Sequence, residues 1–117
     1  MPELLAPAGS MERLQAAVLY GADAVYLGGR DELNLRHGAM GFSWDELDRA
    51  LAITREAGVK VYYCINAFPR QADCRRVEES LERLAGLAVD GLIVADPGVF
   101  LLAREKTPHL DIHVSTQ

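Results

Sequence analysis

Five short apolar runs lie along the chain, and each one ends in a polar or glycine-rich cluster. Stretches with the apolar spacing of helices separate these runs. Strands that are almost continuously apolar and alternate with helices predict a parallel sheet buried on both faces, because each crossover helix covers one face. The runs are Leu4 to Ala6, Ala24 to Leu27, Val59 to Ile65, Leu92 to Ala95 and Ile112 to Val114.

Capping residues mark the ends of the predicted helices. Ser43 and Glu46 have the spacing of a capping box, in which each side chain bonds to the backbone amide of the other residue. Glycines at the ends of two helices supply left-handed stops. The four helices are predicted from Ser10 to Tyr20, from Ser43 to Gly58, from near Asp73 onward, and from Asp96-Pro97 to just before Pro108.

The predicted fold class is α/β, built from parallel βα units that form about half of a TIM-like barrel. Strand starts fall about 20 to 36 residues apart, which brackets the roughly 31 residues per unit of an eight-unit barrel. A complete barrel takes roughly 250 residues, whereas this chain has 117 and stops at Gln117 directly after a strand. We therefore expect residues 1–117 to be the amino-terminal half-barrel segment of a longer domain, rather than an open doubly wound sheet.

The composition is that of an ordinary globular protein, with 50% hydrophobic residues, 25% charged residues and a net charge of -5. No general basic patch for nucleic acid is visible, although a local one depends on where the basic residues lie. Cys64 and Cys74 match neither a CxxC pair nor a disulfide framework, so both are interpreted as reduced. The most apolar stretch is interrupted by Asp96 and Pro97 and is shorter than the roughly 18 residues of a membrane span. These features predict a cytoplasmic protein with no membrane contact.

A candidate substrate pocket follows from the alternation of side chains along the strands. His113 lies on the opposite face of the last strand from Ile112 and Val114, which we expect to meet the helices. The polar set then points into the lumen of the barrel, near the carboxyl edge where such folds bind ligands. The candidate substrate-binding residues are Tyr26, Arg36, Asn66, Asp96, His113, Ser115 and Gln117, with Tyr62 and Cys64 beside Asn66 on strand three.

Several of these residues have a second interpretation. Asp96 is either a ligand group or only the cap of helix four, and His113 is either a catalyst or a satisfied core histidine. Arg36 lies in a long glycine-rich loop, where it either binds an anionic substrate or is a solvated surface residue. A hydrolase triad of Asp96, His113 and Ser115 is disfavoured, since two residues separated by one along a strand are about 7 Å apart at Cα. Catalytic residues therefore stay unassigned.

Signals for a metal or phosphate site are weak. The sequence has no HExxH motif, its three histidines are isolated, and the cysteine spacing suits neither zinc nor a cluster. No metal site is predicted, and Cys64 is interpreted as a small core residue. The turn at residues 7–10 precedes a helix but lacks the spacing of a phosphate-binding loop.

Six short motifs together resemble peptidase family U32, the collagenase-like peptidases, and they occur in the family's order along the whole chain. Gly41 departs from the asparagine expected before Phe42, which leaves a polar role at that loop position in doubt. The motifs are residues 3–10, residues 21–29, Asn34-Leu35-Arg36, residues 66–69, Asp96-Pro97-Gly98 and residues 113–117.

The resemblance implies the amino-terminal part of a longer protein with a barrel-like catalytic domain. By family name the activity is that of a peptidase, while several members are similar to oxygen-independent hydroxylases of tRNA or rRNA bases or of a quinone precursor. Those members hold an iron–sulfur cluster through cysteines beyond the matched region, so a cluster is expected in the full-length protein and no cofactor in this segment. The chain alone is then expected to be catalytically incomplete, with RNA or peptide as the substrate of the whole protein.

The alternative is a non-enzymatic module that associates with itself. Exposed edges of a parallel sheet invite pairing, so the expected partner is either the remainder of the barrel or a second copy of this chain.

Overall fold

Five parallel strands and four helices alternate along the computed structural model, which describes residues 4–28, 42–65 and 74–114. The strands pair in sequential order, β1-β2-β3-β4-β5, and every pair is parallel. The elements are β1 (Leu5–Pro7), α1 (Met11–Leu19), β2 (Ala24–Gly28), α2 (Trp44–Ala57), β3 (Lys60–Ile65), α3 (Cys74–Ala85), β4 (Gly91–Val94), α4 (Pro97–Lys106) and β5 (Asp111–Val114).

The predicted α/β fold of parallel βα units is confirmed. A doubly wound sheet reverses its strand order at a switch point, and the sequential order seen here has no such reversal. Within the described residues the sheet does not close, because β1 and β5 each pair with a single neighbour. An open sheet in sequential order is what part of a barrel requires.

Local capping explains where the helices begin and end. Ser43 Oγ accepts a hydrogen bond from the Glu46 amide at 3.2 Å, and Glu46 Oε1 accepts one from the Ser43 amide at 3.0 Å, which confirms the capping box. Gly58 ends α2 with a φ of 73°, a left-handed conformation that glycine adopts without steric cost. Ser10 caps α1 through the Arg13 amide.

The hydrophobic core lies between one face of the sheet and the helices. On β3 this face carries Val61, Tyr63 and Ile65, all buried, and its neighbours in register continue the layer across the sheet. The helices contribute Leu14, Leu47, Leu51, Leu81, Leu84, Val99 and Ala103 to the same core.

The opposite face of the sheet departs from the prediction of burial on both faces. Tyr26, Tyr62 and Ile93 are only half-buried there, and Lys60 and His113 are exposed. The reason is the connectivity, because right-handed crossovers between sequential strands put every helix on the same side. We call this second surface the pocket face, as two of the predicted site residues, Tyr26 and His113, project from it.

Two aspartates join strands at the amino edge with the same pair of hydrogen bonds. The Asp23 amide donates to the Leu4 carbonyl at 2.9 Å, and Asp23 Oδ2 accepts from the Leu4 amide at 2.8 Å. The Asp90 amide donates to the Val61 carbonyl at 2.8 Å, and Asp90 Oδ2 accepts from the Val61 amide at 2.7 Å. This aspartate clamp therefore recurs after two strands, at β1–β2 and at β3–β4.

Candidate substrate-binding site on the pocket face

Two rows of side chains cross the pocket face, because register partners on parallel strands point the same way. Each row runs perpendicular to the strands and combines aromatic or polar side chains with small ones. The row nearer the amino edge contains Pro7, Tyr26, Tyr62, Gly91 and Asp111, and the row nearer the carboxyl edge contains Gly28, Cys64, Ile93 and His113.

An aromatic pair spans three strands of this face. The ring of Tyr62 on β3 meets the imidazole of His113 on β5 with 5.5 Å between centroids and 87° between planes. Such edge-to-face geometry is favourable, because the positive edge of one ring meets the negative face of the other. Among the described residues of this chain, Tyr62 is half-buried and His113, on the edge strand, is exposed.

Gly91 makes this contact across β4 sterically feasible. A Cβ at Gly91 would lie 2.9 Å from Cδ1 and 3.0 Å from Cε1 of Tyr62, and 2.8 Å from the carbonyl oxygen of Asp111. These separations are shorter than a side-chain carbon tolerates, so the Tyr62 ring occupies the space that any other residue would fill. Glycine inside a strand often marks such a close approach.

Asp96 follows β4 directly and caps α4. Its Oδ2 accepts a hydrogen bond from the Val99 amide at 3.0 Å, with Pro97 in the first helical turn. The interpretation of Asp96 as a helix cap is thus confirmed, and its role as a ligand group stays a prediction.

The structure brings only some of the candidate residues together. Tyr26 lies beside Tyr62 as its register partner on β2, and Tyr62 contacts His113. These placements agree with the predicted face, and a role in substrate binding stays a prediction for each residue. Four other candidates lie outside the described residues, namely Arg36, Asn66, Ser115 and Gln117.

Cys64 corrects one interpretation made from the sequence. It is half-buried and lies on the pocket face, in the same row as His113, rather than in the hydrophobic core. The cause is the two-residue period of β3, since Tyr63 and Ile65 take the positions on the core side.

The residues of this chain do not fit an iron–sulfur cluster. A cluster takes four thiolate ligands in its common form, and the whole sequence contains two cysteines. Among the described residues, no group of three or more histidine, cysteine or acidic side chains is arranged to hold a metal ion. None of the helices in the described segments has the length and hydrophobicity that a membrane span needs.

Two residues of the amino-edge row, Gly91 and Asp111, are not among the site residues that the sequence predicts. A signal for Gly91 did exist, because a glycine at the start of an apolar strand suggests that another group approaches the backbone closely. Asp111 precedes the last apolar run and offers no such signal. Its position in the row of Tyr62 depends on the register of β4 and β5.

Comparison with known proteins decides the family. The sequence profile of peptidase family U32 matches residues 9–117. The chain belongs to peptidase family U32. A tRNA hydroxylation protein of Bacillus subtilis is 40% identical over 116 residues, which cover 99% of this chain and 27% of the relative. A protein of Methanocaldococcus jannaschii named as an uncharacterized protease is 40% identical over 117 residues, which cover 100% of this chain and 28% of the relative.

A solved structure shows the same fold within the U32 family. It is that of a U32 peptidase, with a TM-score of 0.74, 17% sequence identity, and coverage of 97% of this chain and 47% of the other. The U32 chain described here therefore spans about a quarter of the length of the curated relatives it matches, and about half of the solved chain.

Proposed function

We propose that this chain is the amino-terminal part of the barrel-like catalytic domain of a U32 enzyme and forms one wall of its substrate pocket. The observation that carries the proposal is the pocket face, where Tyr62 and His113 meet on strands that run in sequential parallel order. Helices cover the other face, so the side of the sheet that carries these rings corresponds to the lumen of a barrel. Ligands of such barrels bind at the carboxyl edge of the strands.

Peptide hydrolysis is the first candidate activity of the whole protein. It rests on the family name and on the relative from Methanocaldococcus jannaschii that is named as a protease. On this proposal the parent enzyme is a hydrolase, and the pocket face contacts a peptide. Residues outside this chain would then complete the catalytic set.

Hydroxylation of a tRNA base is the second candidate activity. The observation in its favour is the 40% identity to a tRNA hydroxylation protein across nearly the whole chain. Family resemblance implies an iron–sulfur cluster for this chemistry, and its ligands would have to come from outside these 117 residues. Hydroxylation of a quinone precursor is the variant of this candidate that needs a small-molecule substrate instead.

One experiment separates these activities. Full-length protein purified without air is incubated with denatured collagen, and separately with tRNA and prephenate, which is the oxygen source that the family resemblance implies. The tRNA is then digested to nucleosides and weighed. New peptide ends support the peptidase, and a nucleoside heavier by one oxygen supports the hydroxylase. If the protein changes neither substrate, peptide hydrolysis and tRNA hydroxylation are both refuted, and the quinone precursor is the candidate substrate that stands.

We further propose that the two edges of the sheet are covered in the working protein by the remainder of the barrel or by a second copy of the chain. Leu5 on β1 is 45% exposed and Val114 on β5 is 58% exposed, which is unusual for apolar side chains in strands. Sedimentation of the 117-residue chain should reveal self-association. A well-folded monomer at low concentration would contradict the part of the proposal that concerns the second copy.

The cytoplasm is the proposed location of the protein. The cysteine spacing supports it, since secreted domains tend to use cysteines as disulfide frameworks. Fractionation of the source cells should recover the full-length protein with cytoplasmic markers, and recovery with secreted proteins would contradict the proposal.

A further inference from the structure

We propose that Leu5, Tyr62 and His113 are three of the four members of a packed layer inside a closed barrel, and that three further strands of the same polypeptide complete it. The inference rests on the proposed barrel-like domain and deepens it in two ways. It selects the remainder of the polypeptide over a second copy as the cover of the pocket face. It also assigns the aromatic pair to the interior beneath the substrate pocket, rather than to contacts with the substrate.

The contact between Tyr62 and His113 shows how the strands are staggered. Along the register, Tyr62 is the partner of Gly91 on β4, and Gly91 is the partner of Asp111 on β5. The Tyr62 ring nevertheless contacts His113, which lies two residues further toward the carboxyl edge, with 5.5 Å between centroids. Side chains at the same height in this sheet are therefore offset by two residues over two strands.

The aspartate clamps give the same offset at another place in the sheet. Through Asp23, the register leads from Leu4 next to β1 to Val59 next to β3. The residue that takes the place of Leu4 in the second clamp is Val61, again two residues further on. Two independent contacts thus agree on a stagger of one residue per strand, which is the stagger of an eight-stranded barrel with a shear of eight.

This stagger decides which side chains share a layer. In a (β/α)8 barrel, each interior layer takes four side chains from alternate strands. From Leu5 on β1, the register with its two-residue offset leads to Tyr62 on β3 and then to His113 on β5. The strands between them face the helices at this height, where Val25 and Leu92 are both 0% exposed. Three odd strands therefore supply three members, and the fourth position belongs to strand seven.

The same geometry identifies what covers the pocket face. The described residues supply five strands in sequential order, so an eight-stranded barrel needs three more. Two copies of this sheet would bring ten strands, which is not the barrel that the stagger fits. The same polypeptide has the necessary length, because three βα units need roughly 93 residues and this chain covers 27% of the relative from Bacillus subtilis.

The polar atoms that closure would enclose indicate the chemistry of the fourth member. His113 is exposed on the edge strand β5 among the described residues, and closure of the barrel removes water from its imidazole. A buried polar group costs free energy unless it is hydrogen-bonded, and the contact with Tyr62 is made ring to ring. We therefore expect strand seven to contribute a side chain that hydrogen-bonds to the imidazole.

Solvent access to Tyr62 in the full-length protein tests the packed layer. Hydroxyl radicals oxidise tyrosine rings that solvent reaches, and mass spectrometry of the peptides gives the oxidation rate of each ring. Since barrel interiors are closely packed, we expect Tyr62 to react at least about tenfold more slowly in the native protein than in urea-unfolded protein. Similar rates in the two states would overturn the proposal.

Protein concentration separates the two possible covers of the pocket face. If strands of the same polypeptide close the barrel, the protection of Tyr62 stays constant on dilution, including in samples that sediment as monomers. Protection that disappears as dimers dissociate would show that a second copy covers the face, and it would overturn the proposal.

A variant distinguishes packing from substrate contact. Tyr62→Ala leaves a cavity in the layer, so we expect it to lower the melting temperature of the full-length protein by at least about 5 °C. The matched control is Tyr20→Ala, which removes a tyrosine that is 84% exposed and should change the melting temperature little. An unchanged melting temperature for Tyr62→Ala, with loss of activity on tRNA or collagen, would overturn the proposal.

The outcomes separate failure of the layer from failure of the proposed function. If the parent protein acts on tRNA or collagen but its Tyr62 is oxidised as fast as in the unfolded state, the layer is refuted and the activity stands. If the parent protein changes neither substrate but protects Tyr62, the peptidase and tRNA hydroxylase proposals fail and the layer stands.

Discussion

Replacing Asp90 with alanine should destabilise the fold more than the same replacement at Asp23, although both residues make the same pair of hydrogen bonds. In each case the amide of the aspartate still donates to the facing carbonyl after the change. The variant loses only the bond between the carboxylate and the facing amide, at Val61 for Asp90 and at Leu4 for Asp23. The two variants thus compare one interaction in two environments.

The magnitude follows from the exposure of the amide that loses its partner. Val61 is 1% exposed, so its amide is left without a carboxylate acceptor in a region that water reaches poorly. A hydrogen bond to a charged group contributes about 1.5–3 kcal/mol, and we expect Asp90→Ala to cost about 2 kcal/mol. Leu4 is 56% exposed, so water can replace the carboxylate of Asp23, and we expect a cost of at most about 1 kcal/mol.

Urea unfolding of the 117-residue chain measures both costs. Trp44 is the single tryptophan of the sequence and stacks on Tyr63 at 6.3 Å between centroids, so its emission reports the packing of α2 on β3. With a urea m-value of about 2 kcal/mol/M, Asp90→Ala should lower the midpoint by about 1 M. Asp90→Asn keeps an acceptor and should lie between the parent and the alanine variant.

Asp90→Ala should lower the free energy of unfolding by more than Asp23→Ala does. Equal losses at Asp23 and Asp90 would show that exposure of the facing amide does not set the cost. A loss below about 0.5 kcal/mol for Asp90→Ala would show that the carboxylate bond contributes no more than a solvated one.

Three further changes test local features of the fold. Gly58→Ala should cost about 1 kcal/mol because φ at this position is 73°, while Gly86→Ala, whose Cβ would lie 3.7 Å from the nearest atom, should be neutral or slightly stabilising in the same urea assay. Ser43→Ala removes one half of the capping box and should cost about 1 kcal/mol, and an unchanged urea midpoint would contradict the importance of the cap. The hydrogen bond and the charge of Glu78 raise the pKa of Lys106 above 10.5, so the pair stabilises the fold fully below pH 10.5 and its contribution is lost as the pH rises through the raised pKa. The urea midpoints of the parent and Lys106→Met should therefore differ at pH 8 and converge at alkaline pH, and a constant difference would show that the lysine acts through packing alone.

Local signals in the sequence predicted the helices well because each signal depends on a few neighbouring residues. The capping box at Ser43, the left-handed glycine at position 58 and the cap at Asp96 all act over a single helical turn. The predicted ends of the strands differ from the observed ends by about one residue. Gly91 and Asp111 begin their strands through backbone pairing, and neither residue carries a hydrophobic signal.

The burial of the pocket face and its aromatic pair depended on information that the sequence does not carry locally. An apolar run is the same whether its second face packs against helices or lines a lumen, so burial on both faces was the wrong expectation. Tyr62 and His113 are 51 positions apart in the numbering. Their contact requires the register of two strand pairs and the small side chain of the residue between them.

The two aspartate clamps measure the stagger between strands, which distinguishes a barrel segment from an open sheet. Asp23 and Asp90 occupy equivalent positions in the two clamps. Asp23 precedes β2 and is in register with Val59, immediately before β3, whereas Asp90 precedes β4 and is in register with Val61 of β3. Equivalent positions therefore shift by two residues over two strands.

Repeated around eight strands, this offset amounts to a shear of eight residues, which is the shear of the (β/α)8 barrel. A flat doubly wound sheet has no need of a regular stagger, because its ends do not meet, whereas a closing sheet must acquire one from its strand tilt. The recurrence of one clamp at this spacing supports the proposal that the described strands are a segment of a closed barrel. In that geometry the pocket face becomes the lumen wall, and its row nearer the carboxyl edge, which contains His113, lies closer to the end where such barrels bind ligands.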